Sequence, residues 1–333
     1  MKISKTVVVT GAAGFIGSAL VRRLAAEGYE VLGLDNFSRV GSVFNAKSTS
    51  RLGISIHRID VSDRRSLFDF FRNHERKNIV AVFHLAAQVA VTRSYTDPLT
   101  DFASNAIGSF NIVEAARLFA PKAHLVYAST NKVYGAADFS APVGLAAVPS
   151  PKTPYGVSKF VGDLYFEEYR GDEIGLSSTV FRQSCIYGPG QMGVEDQGWA
   201  AWFSLSCLLD RTVNIYGDGT QVRDMLFIED LVELYLLAAE KRVQGTFVVG
   251  GGEENSVQVF DAYQTISSIL GSNENNINYS DWRPGDQRYF VSRNEGLLEK
   301  FNWQASTGLG EGLQSLVNWQ KSNLSSLEKL LAY

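Results

Sequence analysis

Residues 7–36, VVVTGAAGFIGSALVRRLAAEGYEVLGLDN, decide the fold. A β-branched run meets three glycines, Gly11, Gly14 and Gly17, in the spacing G-x-x-G-x-x-G. Helical spacing follows, and a second apolar run closes on Asp35. Each glycine answers a physical need, with a tight turn at Gly11, backbone approach to a pyrophosphate at Gly14, and close helix-to-strand packing at Gly17. Phe15 and Ile16 open the helix, so their amides face the phosphates. Asp35 accepts hydrogen bonds from the adenosine ribose hydroxyls and repels a 2'-phosphate, which favours NAD over NADP, with Asn36 beside it. Arg39 offers a nearby phosphate a partner and leaves that preference less sharp. Three glycines alone fit a turn without a ligand; strand, turn, helix, second strand and terminal acid at this spacing select dinucleotide binding.

Outward from this unit, apolar runs alternate with helical spacing through the first half. They are EVLGLD (30–35), ISIHRID (54–60), IVAVFHLA (79–86), AHLVYAS (123–129) and SSTVFRQ (177–183). Strand alternating with helix predicts an α/β fold, a Rossmann-type doubly wound parallel sheet covered on both faces. Ligands of such sheets bind beyond the carboxyl ends of the strands, where Gly11, Asp35, Asp60, Ala86 and Ser129 fall. Asp60 and Val61 are suited to flank an adenine, although an aspartate there also suits a helix cap. After residue 184 the rhythm turns irregular. The expectation is a Rossmann domain over 1–183, a return strand near 246–252, and a smaller mixed C-terminal substrate lobe over 184–333.

The 333 residues carry a formal net charge of −4 and no long basic run, which argues against nucleic acid as a partner. Cys185 and Cys207 match no ligand spacing, and the four histidines all precede residue 125 without pairing, so no metal site is expected. The apolar stretch after the basic start is too short for a signal peptide and runs into the glycine turn, and no apolar run reaches spanning length; a cytoplasmic protein without membrane contact is expected.

SPKTPYGVSK (150–159) carries the chemistry. Thr153 suits an N-cap and Pro154 the first helical position, which puts Tyr155 in the first turn and Lys159 one turn on, along the same face. A phenol titrates near pH ~10. An ammonium, a helix N-terminus and an oxidised nicotinamide each favour phenolate, so Tyr155 beside Lys159 becomes a base for a sugar hydroxyl. Alone, Y-x-x-x-K is a common surface pair; the dinucleotide turn upstream gives it weight. Thr130, in YASTNKVYG (127–135), sits at the same sheet edge and either shares the substrate oxygen or caps its own loop.

STNKVYG (129–135), GPGQMGVEDQGWAAWF (188–203), GDGTQVRD (217–224) and RPGDQRYFV (283–291), with the motifs above, resemble the extended short-chain dehydrogenase/reductases of the NAD-dependent epimerase/dehydratase family from about Lys5 to Trp319. Within it the chain is most similar to the branch of CDP-sugar 2-epimerases. The resemblance implies NAD as cofactor, a nucleotide sugar as substrate and a homodimer paired through helices near 101–118 and 155–170. It places Leu85, Ala86, Ala87 and Ser129 along the cofactor. Gln88, Asn131, Ser184 and Gln197 fall against the substrate, Arg223 and Arg283 on its diphosphate, and Asn105 steadies the active-site loop. Trp199 either meets the ligand or belongs to the core with Trp202. Similar dehydratases carry Asp-Glu where this chain has Asn131-Lys132, so elimination lacks its acid and base and epimerisation through a transient keto sugar is expected. Departures lie around Ser184, at Ser292, and between Gly135 and Tyr155, a short segment expected to line the sugar pocket. Two further readings are a UDP- or GDP-sugar 4-epimerase using the same residues, and a dinucleotide-sensing or RNA-associated protein with the same fold.

Overall fold

The computed structural model describes residues 5–135, 140–271 and 277–331. Strand β1 (Thr6–Thr10) is buried along its whole length, and its side chains feed two cores: Val7 and Val9 pack into one cluster, Val8 into the other. Strand β5 (His124–Thr130) does the same, with Val126 and Ala128 on one face and Leu125 and Tyr127 on the other. Alternation with both faces apolar is why these runs form a sheet covered on both sides.

Strands β2 (Glu30–Asp35), β3 (Ile56–Arg58), β4 (Ile79–His84) and β6 (Ser177–Gln183) complete the expected set. The run at 54–60 forms only three residues of strand. Order across the sheet is β10-β6-β5-β4-β1-β2-β3, where β10 is Gly245–Val249, every neighbour parallel. The winding reverses between β1 and β4, which opens a crevice at their carboxyl ends. Helices α1 (Phe15–Ala26), α2 (Ser42–Ser50), α3 (Arg64–His74), α4 (Val91–Thr96), α5 (Pro98–Phe102), α6 (Gly108–Phe119) and α7 (Pro154–Glu168) connect the strands. A π-turn, Ala103–Ile107, joins α5 to α6.

The return strand is β10 (Gly245–Val249), paired in parallel with β6. Helix α9 (Ile228–Lys241) leads to it and packs Leu231, Leu234 and Tyr235 into the same cluster as Val9 and Leu20. The chain after residue 184 thus re-enters the main sheet. The smaller lobe holds β7 (Cys185–Tyr187), α8 (Trp199–Leu208), β8 (Val213–Tyr216), β9 (Val222–Phe227), β11 (Ser256–Gln258), α10 (Val259–Leu270), β12 (Ile277–Ser280), β13 (Tyr289–Phe290), α11 (Leu297–Phe301) and α12 (Leu309–Leu331). Its sheets are mixed: β11 runs antiparallel to β9, while β7 and β13 run parallel to it. Of the segment expected to line the sugar pocket, residues 136–139 lie outside the described residues. Val143 bridges to Ser292 and packs with Tyr134 and Phe290, tying that segment to the lobe. No helix among the described residues is long and apolar enough to cross a membrane.

Candidate active site

A cleft of about 370 Å³ opens over the carboxyl ends of the strands, lined by the glycine turn, Asp35, Asn36, Asp60, Val61, the Leu85–Gln88 segment, Ser129, Tyr155 and Lys159. The glycines are forced by close approach. Gly11 has φ +68°, and a Cβ there would meet the Ala86 amide nitrogen at 2.8 Å; one on Gly17 would meet the Gly11 carbonyl oxygen at 2.0 Å. Gly14 caps α1 without any side-chain hydrogen bond, so the amides of the first turn present their partial positive charge to the cleft.

Asp35 holds this turn together: Ala13 N donates to Oδ2 (2.9 Å) and Phe37 N to Oδ1 (2.7 Å). Burial pushes its carboxyl upward, and the two amides oppose the shift. At Asp60, burial is outweighed by Ser62 and Asn36, whose donors hold the carboxyl below its usual range. Asp60 shapes the β3 exit; the cap of α3 is Asp63, which accepts from Arg65 N and Ser66 N.

Helix α7 starts as its sequence dictates. Thr153 Oγ1 accepts from Gly156 N (2.9 Å) and Pro154 occupies the first turn. Gly162 lets the helix settle against β5, since a Cβ there would meet Tyr127 Oη at 2.2 Å. Tyr155 (8% exposed) and Lys159 (3%) then line the cleft side by side. Lys159 donates to Ala128 O (2.7 Å) and sits 4.3 Å over the Tyr127 ring. Burial drives its ammonium pKa down, while Asp163 and Asp101 pull the other way. Burial drives the Tyr155 phenol up to about 12; the Thr130 hydroxyl favours phenolate, and Asp101 and Asp163 disfavour it. In the protein alone desolvation outweighs every group that stabilises phenolate, so the lowering expected from the ammonium is not met by the chain itself. Thr130 Oγ1 accepts from Lys132 N (3.2 Å) and donates to Asn131 Oδ1 (3.4 Å), so it caps its own loop as well as acting on the phenol.

Several expected substrate contacts are oriented differently. Gln88 reaches the cleft, but its side chain is folded back: Nε2 donates to Asp101 Oδ1 (2.8 Å) and Ala90 O (2.9 Å), and Oε1 accepts from Ala90 N (2.7 Å). Ser184 donates to the buried Asp224, which also binds Ser292, so both departures from the family pattern serve one internal carboxylate. Gln197 accepts from Arg39 and lines the cleft beside the Ser38–Val40 segment, on the ribose side. Met192 of the same loop packs against Gly41.

Arg223 is buried and bound by Asp286 (2.7 Å) and by the carbonyls of Val222 (2.7 Å) and Gln287 (2.5 Å). Arg283 lies 3.8 Å over the Tyr216 ring and donates to Glu195 O (2.6 Å). Lys132 meets Asp286 at 3.4 Å, and Asn131 Nδ2 donates to Gln287 Oε1 (3.4 Å). Asp286 would be raised by burial, but Lys132 and Arg223 outweigh this and hold it low. The cluster of Asn131, Lys132, Arg223 and Gln287 is thus built around one carboxylate, Asp286, held ionised between two cations. Lys132, Asp286 and Gln287 lie inside the sequence motifs, yet their pairing joins positions 154 residues apart and no local spacing signals it. His84, between Thr10 Oγ1 (2.8 Å) and Ser109 Oγ (3.1 Å), is a buried neutral ring, held so first by desolvation and then by Lys159.

Residues 7–250 match the family model described as the NAD dependent epimerase/dehydratase family. The chain belongs to that family. Among curated members it is 31% identical to CDP-paratose 2-epimerase of Salmonella typhi, covering 95% of this chain and 99% of that one. Among solved structures it matches UDP-glucose 4-epimerase of Thermotoga maritima with UDP-glucose at a TM-score of 0.86 and 31% identity, over 96% and 99% of the two chains. The Thermus thermophilus UDP-glucose 4-epimerase complex with NAD gives the same score and identity, over 95% and 99%. The NAD of this epimerase/dehydratase family fits the cleft: the uncapped α1 terminus suits a pyrophosphate, Gly14 leaves it room, and the Asp35 carboxylate stands at the β2 end where a ribose diol binds.

Proposed function

We propose that this family member is a nucleotide-sugar epimerase that inverts one ring carbon through a transient keto sugar, and that its substrate is a CDP-linked dideoxyhexose inverted at carbon 2. NAD supplies the acceptor and donor of hydride. Tyr155 takes the hydroxyl proton, Lys159 stabilises the resulting phenolate and orients the ribose, and Thr130 positions the reacting oxygen. Arg223 and Arg283, both in the lobe, are assigned to the diphosphate, although Arg223 is already engaged by Asp286 and two backbone carbonyls. One observation carries the reading against a dehydratase: Asn131 and Lys132 occupy the loop beside Tyr155, and Asp286, the carboxylate among them, is held ionised and is a poor acid for elimination.

The similarity to a CDP-sugar 2-epimerase supports the CDP reading, and the similarity to UDP-glucose 4-epimerases at the same identity supports a second, a UDP-sugar 4-epimerase. Incubating the enzyme with CDP-, UDP- and GDP-linked sugars and following ring protons by NMR separates them. The first reading expects inversion at carbon 2 of the CDP-sugar; inversion at carbon 4 of a UDP-sugar replaces it by the second, and loss of water from the sugar sinks both. We also infer a homodimer: Leu99, Phe102, Ile107, Val157 and Leu164 are exposed apolar residues on α5, the π-turn and α7. Sedimentation as a monomer at micromolar concentration would refute it.

A further inference from the structure

One buried carboxylate behind the cleft takes no direct part in the proton and hydride transfers. Asp101, on α5, is 1% exposed. Its Oδ1 accepts from Gln88 Nε2 (2.8 Å) and Asn105 Nδ2 (3.2 Å), and its Oδ2 accepts from Ser158 Oγ (2.5 Å). These donors come from three elements. Gln88 belongs to the cleft-lining segment after β4, Asn105 to the π-turn, and Ser158 to α7, next to Lys159. Asn105 ties the network further: Gln88 N donates to its Oδ1 (2.9 Å), and its Nδ2 donates to Gln88 O (3.0 Å) and Ser158 Oγ (3.1 Å). Asn105 lies within the π-turn, a wider turn that shifts the side-chain register between α5 and α6.

The charge of Asp101 matters as much as its bonds. Burial pushes its carboxyl up, while Ser158, Gln88 and Lys159 favour the ionised form and Asp97, at the N-cap of its own helix, opposes it. Lys159 and Tyr155, on α7, are the ionisable groups it acts on there. Asp163, one turn further along α7, acts on the same two groups. A buried carboxylate bonded only by neutral donors projects its field onto whatever ionises nearby, here an ammonium it supports and a phenolate it opposes.

We propose that Asp101 is a positioning residue of the hydride-transfer site: it clamps the Gln88 segment to the catalytic helix, and its charge sets the balance between the Lys159 ammonium and the Tyr155 phenol. This rests on the epimerase reading for the reaction, though not for the charge effect. Asp101→Asn keeps the shape and an acceptor for Gln88 while removing the charge. Loss of that charge makes phenolate easier and ammonium harder to hold, so both ionisations move to lower pH.

The test uses NAD-loaded enzyme. Tyrosinate absorbance is titrated with and without Asp101→Asn, each against its Tyr155→Phe counterpart, which needs no sugar. Expected is appearance of the Tyr155 phenolate at lower pH in Asp101→Asn, with both limbs of the pH–activity profile displaced the same way. A residue that only supports the fold would lower Tm and NAD retention and leave the titration in place; an unmoved titration in a variant that retains NAD overturns the proposal. Ser158→Ala keeps the charge and cuts the link to α7. It should lower kcat about tenfold with KM for the sugar within about twofold, and unchanged kcat removes the clamp. Absence of sugar turnover in the wild type would count against the epimerase reading, while the titration still decides this one.

Discussion

At the residue scale the site is a contest between desolvation and charge at Tyr155. Burial holds the phenol near pH 12 in the protein alone, and the groups that oppose burial are too few to bring it into the working range. An oxidised nicotinamide held in the cleft would add a cation favouring phenolate, so the titration of Tyr155 should fall on NAD binding. Tyr155→Phe should retain NAD, because the glycine turn and Asp35 are untouched, and should lose roughly 10²- to 10⁴-fold in kcat, the range of a general base. Equal activity in Tyr155→Phe and wild type, with bound NAD measured in both, would remove this residue from the reaction. Tyr155, Lys159 and the three glycines were legible in the sequence because each set lies within one turn or one loop. Asp101 was not: its partners lie on three elements, and an aspartate in an amphipathic helix looks like any solvated acid until the fold buries it.

At the scale of elements, α7 carries both proposed active groups, Tyr155 and Lys159, so its entry matters beyond its own stability. The Thr153 cap satisfies one of the first free amides, and Pro154 fixes the backbone at the position where a missing N–H costs nothing. Thr153→Ala should lower unfolding stability by about 1 kcal/mol. It should also loosen the first turn that carries Tyr155, so kcat should drop while NAD retention holds; chemical denaturation and a turnover assay check both. Capping chemistry of this kind is local and was readable from KTP. The lobe was not. The motifs set Gln197 and Ser184 toward substrate, while in the fold Gln197 bonds Arg39 across the cleft and Ser184 bonds Asp224, partners fixed by strand register in β9 and by the loop at 188–198. Motif position does not tell which way a side chain turns.

At the scale of the whole molecule, two cores share one sheet, and burying a titratable strand residue between them has a cost that depends on pH. His124, in β5, bonds Ser177 Oγ (2.7 Å) and Thr179 Oγ1 (2.8 Å), and burial lowers its pKa to about 3, with Arg242 adding to the shift. A histidine with a depressed folded pKa binds its proton only when unfolded between that value and about 6.5, so its contribution to stability is lost as pH falls through this window. Relative to a His124→Gln variant, the wild type should lose about 2 kcal/mol more between pH 8 and pH 5; parallel urea curves for the two proteins would contradict this. The doubly wound sheet and its return strand were readable from apolar runs because a strand buried on both faces leaves no other pattern. The route by which residues after 184 feed that sheet through α9 needed the tertiary contacts. All of these scales meet in the proposed reaction, in which hydride would leave a ring carbon and return to it within the cleft. A nucleotide sugar carrying deuterium at the carbon that inverts, turned over in ordinary water and read by NMR, tests this most directly. Product with deuterium retained at that carbon is predicted, and replacement of the label by solvent hydrogen would contradict the account.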